Sequence, residues 1–183
     1  GEPRTVYRIM AEDYNGNIVV TEDYYIDIKF GIMPGEYETD FETRPVGWKF
    51  TGDWEWGVPE EGTGPRPYGG TKLVGTVLGG QYSNDSDSLL ITPPIDLRDE
   101  TLESATLRFY QWYEIEEYDK GRIYISDDYC ESRTQVGQEY NGNAKEWHEI
   151  LIDLEDYIGS QTPVYIIYHF ASDWSGQEDG WYI

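Results

Sequence analysis

From Glu38 onward, turn residues recur so often that no long helix has room to form. Gly62-Thr63-Gly64-Pro65, Gly69-Gly70, Gly79-Gly80, Asn84-Asp85, Asn141-Gly142 and Gly159 punctuate the chain. The runs between them are short and carry the β-branched and aromatic residues that fit a pleated, half-buried surface. Ala105 to Tyr113, Arg122 to Ile125, Trp147 to Ile152 and Val164 to Ala171 are the clearest of these runs. Short strands separated by turns predict an all-β fold, a two-sheet antiparallel sandwich. Asp153 to Ile158 is the only hint of a helix, and it allows one turn at most.

Ahead of this region, Val6 to Ala11 reads as a strand, and the Asn15-Gly16 pair after it favours a tight hairpin turn. In Tyr24 to Phe30 the residues Tyr24, Ile26, Ile28 and Phe30 share one face, the period-two pattern of a half-buried strand. Asp13, Asn15 and Asn17 imitate the start of an EF-hand loop. That loop wants Gly at its sixth position and Glu at its twelfth, where this chain has Ile18 and Tyr24, so the segment reads as a turn. Gly31 to Gly35, with Pro34, reads as a linker.

The chain has 183 residues, long enough to bury a core without staples. Its 36 acidic residues against 13 basic ones give a formal charge of −23, which opposes nucleic acid and anionic membrane surfaces as partners. Such a balance either keeps a protein soluble or gathers carboxylates around a hard cation such as calcium, which takes six to eight oxygen ligands. Cys130 is the only cysteine, so no disulfide can form within the chain. No apolar run approaches the roughly 18 residues that argue a membrane span, so no membrane insertion is expected. Residues 1 to 15 lack the apolar stretch of a signal peptide, and the sequence reads as an internal piece of something longer.

Catalytic chemistry finds little to work with. His148 and His169 are the only histidines, and each alternates with apolar residues along a strand. The zinc, nucleophile-elbow and phosphate-loop signatures are missing. The densest acidic run, Glu114, Glu116, Glu117 and Asp119, reads as a solvated loop or edge that discourages aggregation.

Several blocks in fixed order carry a family likeness. They are Asp40-Phe41-Glu42, Gly52 to Pro59, Tyr82 to Leu90, Thr92-Pro93-Pro94-Ile95-Asp96-Leu97, Trp147 to Leu154 and Asp179-Gly180-Trp181-Tyr182-Ile183. In these the chain resembles the MAM-like jelly-roll accessory module of secreted peptidases, of the immune inhibitor A and bacillopeptidase F type. The resemblance implies a galactose-binding-like jelly-roll sandwich over residues 38 to 183, truncated at its last strand because the family pattern runs on past Ile183. Residues 1 to 32 then look like the C-terminal hairpin of a preceding Ig-like or fibronectin-like domain with the start of a linker.

The resemblance further implies a structural calcium near the junction of the first and last strands. Matched residue by residue, Glu42, Asp87 and Asp179 would be its carboxylate ligands. Those acids equally suit the turns at strand ends where Asp is favoured. The implied role is a non-catalytic, extracellular module that contacts a protein substrate, a cell-surface protein or a glycan, beside neighbouring domains of the same polypeptide. An alternative is a carbohydrate-binding module acting through Trp174, the tryptophan expected in an exposed loop. A second alternative is a structural spacer.

Overall fold

The computed structural model describes residues 4–27, 31–35 and 37–183. Two compact units divide the chain, residues 1–30 and 31–183. In the first, β1 (Arg4–Tyr7) pairs antiparallel with β4 (Tyr24–Asp27), and β2 (Met10–Glu12) with β3 (Ile18–Val20). The intervening turn is held by Asp13, whose carboxylate accepts the amides of Asn15 and Asn17 at 2.8 and 2.9 Å. Gly16 takes φ +80° there, a conformation open to glycine at no steric cost. Of the strand expected over Tyr24 to Phe30, β4 covers Tyr24–Asp27, and Ile28, Lys29 and Phe30 lie outside the described residues.

The second unit is a jelly-roll sandwich of two antiparallel five-stranded sheets. Its strands are β5 (Lys49–Phe50), β6 (Trp54–Gly57), β7 (Leu73–Thr76), β8 (Asp87–Ile91), β9 (Thr106–Ile115), β10 (Lys120–Ser126), β11 (Thr134–Tyr140), β12 (Gly142–Asp153), β13 (Tyr165–Ala171) and β14 (Gly180–Tyr182). One sheet runs β11-β10-β13-β8-β5 and the other β12-β9-β14-β7-β6. From β5 to β6, β7 to β8, β8 to β9, β9 to β10, β11 to β12, β12 to β13 and β13 to β14 the chain changes sheet, so distant segments become neighbours. The one expected helical turn is a 3-10 turn at Glu155–Tyr157. Ile32, in the segment read as a linker, forms a parallel bridge to Ile95 and so belongs to the sandwich.

Alternation sets the two faces of β9. Phe109 and Ile115 enter the main core, while Trp112 joins Tyr182, Leu73 and Leu78 in a second cluster. Central β13, flanked by β10 and β8, is buried almost throughout, which explains its near-continuous apolar run. Trp181 lies at the middle of the main core with no exposure, and the rings of Tyr140, Trp54 and Tyr168 have their centroids 5.3, 5.6 and 5.9 Å from it. Gly121 on β10 faces that indole. A Cβ there would come within 2.8 Å of Trp181 Cε3, so a strand glycine is required by close approach.

Candidate functional site

Three connections meet at one place: residues 77–86 between β7 and β8, 116–119 between β9 and β10, and 172–179 between β13 and β14. Asp119 is their common anchor and has no solvent exposure. Its Oδ2 accepts the Tyr82 hydroxyl at 2.6 Å and its Oδ1 accepts the Asp173 amide at 2.7 Å. The Tyr82 hydroxyl in turn accepts the Glu116 amide at 3.0 Å. Burial first, and then the Asp119 carboxylate, push the Tyr82 phenol well above its ordinary pKa. Tyr82 is therefore a fixed donor to Asp119 at every physiological pH.

Around this anchor, Glu116, Asp119 and Asp173 each offer a carboxylate oxygen, and these atoms lie within 4.8 Å of one another. The Glu116 carboxylate is steadied by the Tyr118 amide at 2.7 Å, and that of Asp173 by the Ser175 amide at 2.8 Å. Among the described residues, no lysine or arginine pairs with any of the three. Two oxygens bound to one calcium at about 2.4 Å can be no more than about 4.8 Å apart, so the spacing suits a single hard cation. The group can hold a metal ion. With no thiolate and no imidazole in it, the donor set favours calcium or magnesium over zinc or copper.

The residues expected from the sequence have other partners. Glu42 Oε1 accepts the amides of Thr71 and Lys72, both at 2.7 Å, and Oε2 accepts the Thr71 hydroxyl at 2.9 Å. These bonds hold its carboxyl below the usual range. Asp87 bonds His169 Nε2 at 2.6 Å, with its own side chain 81% exposed. Burial raises the Asp179 carboxyl, and the charge of Glu114 adds to this, with Lys145 and the Gly64 amide opposing. None of the three belongs to the group of Glu116, Asp119 and Asp173. Trp174 follows Asp173 directly and is 75% exposed, as expected for its loop.

The acidic run read as a solvated edge thus contains a buried residue. Two of its acids, Glu116 and Asp119, turn inward to meet Asp173 more than fifty residues later. The only sequence signal is the density of acids in Glu114, Glu116, Glu117 and Asp119, and nothing marks Asp173 as their partner.

Both histidines serve the sheets. His148 Nε2 lies 3.1 Å from Gln111 Nε2, and its Nδ1 lies 3.0 Å from the Glu146 carbonyl, so an Nδ1–H tautomer satisfies both contacts. His169 spends Nε2 on Asp87.

Fold and site together define an all-β jelly-roll sandwich with a carboxylate group where its connections converge. No known family profile matches the chain. It is 36% identical over 182 residues to Bacillopeptidase F of Bacillus subtilis (strain 168), which covers 97% of this chain but 12% of that protein. The chain is thus homologous to a small part of a larger peptidase, an accessory fragment and not the whole enzyme. Two solved structures are similar in shape. The K2 cleaved adhesin domain of Lys-gingipain gives a TM-score of 0.49 at 15% identity, over 78% of this chain and 91% of that one. A carbohydrate-binding module of the β-sandwich superfamily gives 0.46 at 12% identity, over 98% of this chain and 72% of the other. At these scores the two likenesses bear on neither ligand nor activity.

Proposed function

We propose that the chain is a non-catalytic accessory module of an exported, multidomain peptidase, stabilised by calcium and used for contact with a protein substrate or a cell surface. The observation that carries this reading is the match to Bacillopeptidase F, which takes in 97% of this chain and only 12% of the peptidase. Both histidines being committed to sheet contacts supports a non-catalytic role. Calcium is the cation proposed for Glu116, Asp119 and Asp173 because all three donors are hard oxygens and extracellular modules bind it at about 10⁻⁴ to 10⁻³ M. The set implied by resemblance, Glu42, Asp87 and Asp179, is the competing assignment.

A thermal melt separates the two sets. At roughly 10 mM calcium and a dissociation constant near 10⁻⁴ M, binding to the folded state alone adds about 2.7 kcal/mol. For a domain of this size that is a rise of roughly 5 to 11 °C over the EDTA-treated protein. Loss of the rise in Asp173→Asn and Glu116→Gln, with Glu42→Gln and Asp87→Asn retaining it, is the expected outcome. The reverse pattern would move the ion to the other set, and no rise in the unsubstituted chain would remove calcium altogether. The module reading has its own test, in which deletion of the segment leaves the peptidase's turnover of short peptides intact and lowers its retention on protein substrate or cell wall.

The exposure of Trp174 favours a second reading, a carbohydrate-binding module acting through that residue. A glycan array that binds the chain and loses the signal in Trp174→Ala would support it. A chain with no affinity for protein, glycan or ion would be a spacer.

A further inference from the structure

The same tetrapeptide occurs twice in the sequence, as Tyr14-Asn15-Gly16-Asn17 and as Tyr140-Asn141-Gly142-Asn143. An asparagine followed by glycine is open to an internal reaction, because glycine has no Cβ to keep its backbone nitrogen from the asparagine carboxamide. That nitrogen, on losing its proton, attacks the asparagine Cγ. The N–Cγ bond forms, the Cγ–Nδ2 bond breaks, and Nδ2 leaves as ammonia with the proton that the glycine gave up. Water then opens the cyclic imide, at Cγ to give aspartate or at the main-chain carbonyl to give an isoaspartyl link. The net change is one water taken up and one ammonia released for each amide turned into an acid. Identical neighbours give the two sites matched intrinsic reactivity, so the fold decides between them.

Both asparagines are exposed, so access to water does not separate them. Their hydrogen bonds do. Asn141 Nδ2 donates to the Glu117 carbonyl at 2.9 Å, which holds the leaving group in place. Gly142 lies opposite Ile115 in the ladder between β12 and β9. Odd-numbered residues along β9 and just before it bond toward β12, as Ala105 does in accepting the Leu154 amide at 2.9 Å. By that alternation Ile115 and Gly142 exchange both backbone bonds. Ile115 is buried in the main core, so freeing the Gly142 nitrogen means parting two strands of the sandwich.

At the first copy the Asn15 carboxamide has no hydrogen-bond partner among the described residues. The Gly16 N–H donates to the Asp13 carbonyl at 3.0 Å, a bond that belongs to the turn of a two-stranded hairpin. Strands β2 and β3 of that hairpin have three residues each, all exposed. Such a hairpin is marginal in water, and opening its turn costs far less than opening a core strand. We propose that Asn15 is a site of spontaneous deamidation and that the sandwich holds Asn141 inert. The product sets a second negative charge beside Asp13. Its isoaspartyl form also lengthens the backbone within the turn that the Asp13 carboxylate ties to the Asn15 and Asn17 amides. Chemical ageing of the chain thus starts in the hairpin unit.

The test is peptide mapping by mass spectrometry of the 183-residue chain held in mildly alkaline buffer, with the aspartyl and isoaspartyl forms separated by chromatography. In the folded chain Asn15 should convert at least about tenfold faster than Asn141. In urea, where both sites are open, the two rates should agree within about twofold because the tetrapeptides are identical. Gly16→Ala sets a Cβ beside the attacking nitrogen, and should slow conversion of Asn15 about tenfold or more while leaving Asn141 unchanged. Equal rates in the folded chain, or a faster Asn141, would overturn the proposal. So would an Asn15 that stays intact in the folded chain for as long as the urea-unfolded chain needs to react at both sites. A gap between the sites that persists in urea would overturn it as well, since the sequence and not the fold would then set their order.

Discussion

At the scale of single residues, the buried polar groups set the sharpest constraints. Gln111 has no exposure, yet its Oε1 accepts the Trp181 indole N–H at 2.8 Å and its Nε2 meets His148 at 3.1 Å. Gln111→Leu keeps the approximate volume and strands the indole donor in the core. A loss of about 2 to 4 kcal/mol is expected, read from urea unfolding midpoints, because each unpaired buried group costs about 1 to 3 kcal/mol. His169 gives a pH prediction. Burial lowers its pKa below 6.5, and the Asp87 hydrogen bond pulls the other way, with Arg133 and Arg122 adding to the lowering. Burial prevails because the Asp87 carboxylate is 81% exposed and water screens its field. The unfolded chain then takes up the proton more readily than the folded one. His169 contributes its full stability above about pH 6.5, and this is lost as pH falls through the folded value. Melting temperature should decline from pH 7 to pH 5.5 in the parent and more shallowly in His169→Gln. The loop position of Trp174 is enough to expect its exposure, and it is 75% exposed. Asp119 was illegible, since an acid is buried only where its partners are, and Tyr82 and the Asp173 amide lie 37 and 54 residues away.

At the scale of elements, the strands were readable and their connections were not. A strand announces itself by local alternation, which is why Thr106–Ile115, Lys120–Ser126 and Tyr165–Ala171 lie close to the runs picked out by β-branched and aromatic residues. β11, Thr134–Tyr140, was missed because its exposed edge position leaves Val136 and Tyr140 as its only large apolar residues. Loops carry no such period, and their meeting depends on topology. Tyr82 is the tie that joins them, bonding the β7–β8 connection to both Asp119 and the Glu116 amide. Tyr82→Phe removes one hydroxyl and leaves the ring against Phe170. It should cost about 1 to 3 kcal/mol, as expected for a bond to a buried carboxylate. It should also increase amide exchange at Glu116 and Asp173 before any change at the core strands. Uniform loss of protection along β9 and β13 would mean the three connections are not a cooperative unit.

At the scale of the whole molecule, charge and modularity govern behaviour. A formal charge of −23 makes the folded chain repel itself, so raising NaCl from about 10 mM to about 0.5 M should raise the melting temperature by screening. Calcium at matched ionic strength should add to that if it binds a site, and should add nothing if it only screens. Modularity makes the stronger claim. Among the described residues, both core clusters draw every member from residues 41–183, and the main one holds the aromatic centre around Trp181. Residues 1–30 form a separate compact unit of paired strands, in which Ile9, Met10, Ile18, Val19 and Val20 are all exposed. Val19 and Val20 point to opposite faces of that hairpin, and an isolated hairpin is marginal in water. Residues 31–183 expressed alone should therefore unfold in one cooperative transition, with a midpoint within about 2 °C of the full chain. The peptide 1–30 alone should show little strand signal by circular dichroism. A fall of more than about 5 °C on removing residues 1–30, which is more than 1 kcal/mol for a domain of this size, would make the hairpin part of the sandwich's stability instead of a separate unit.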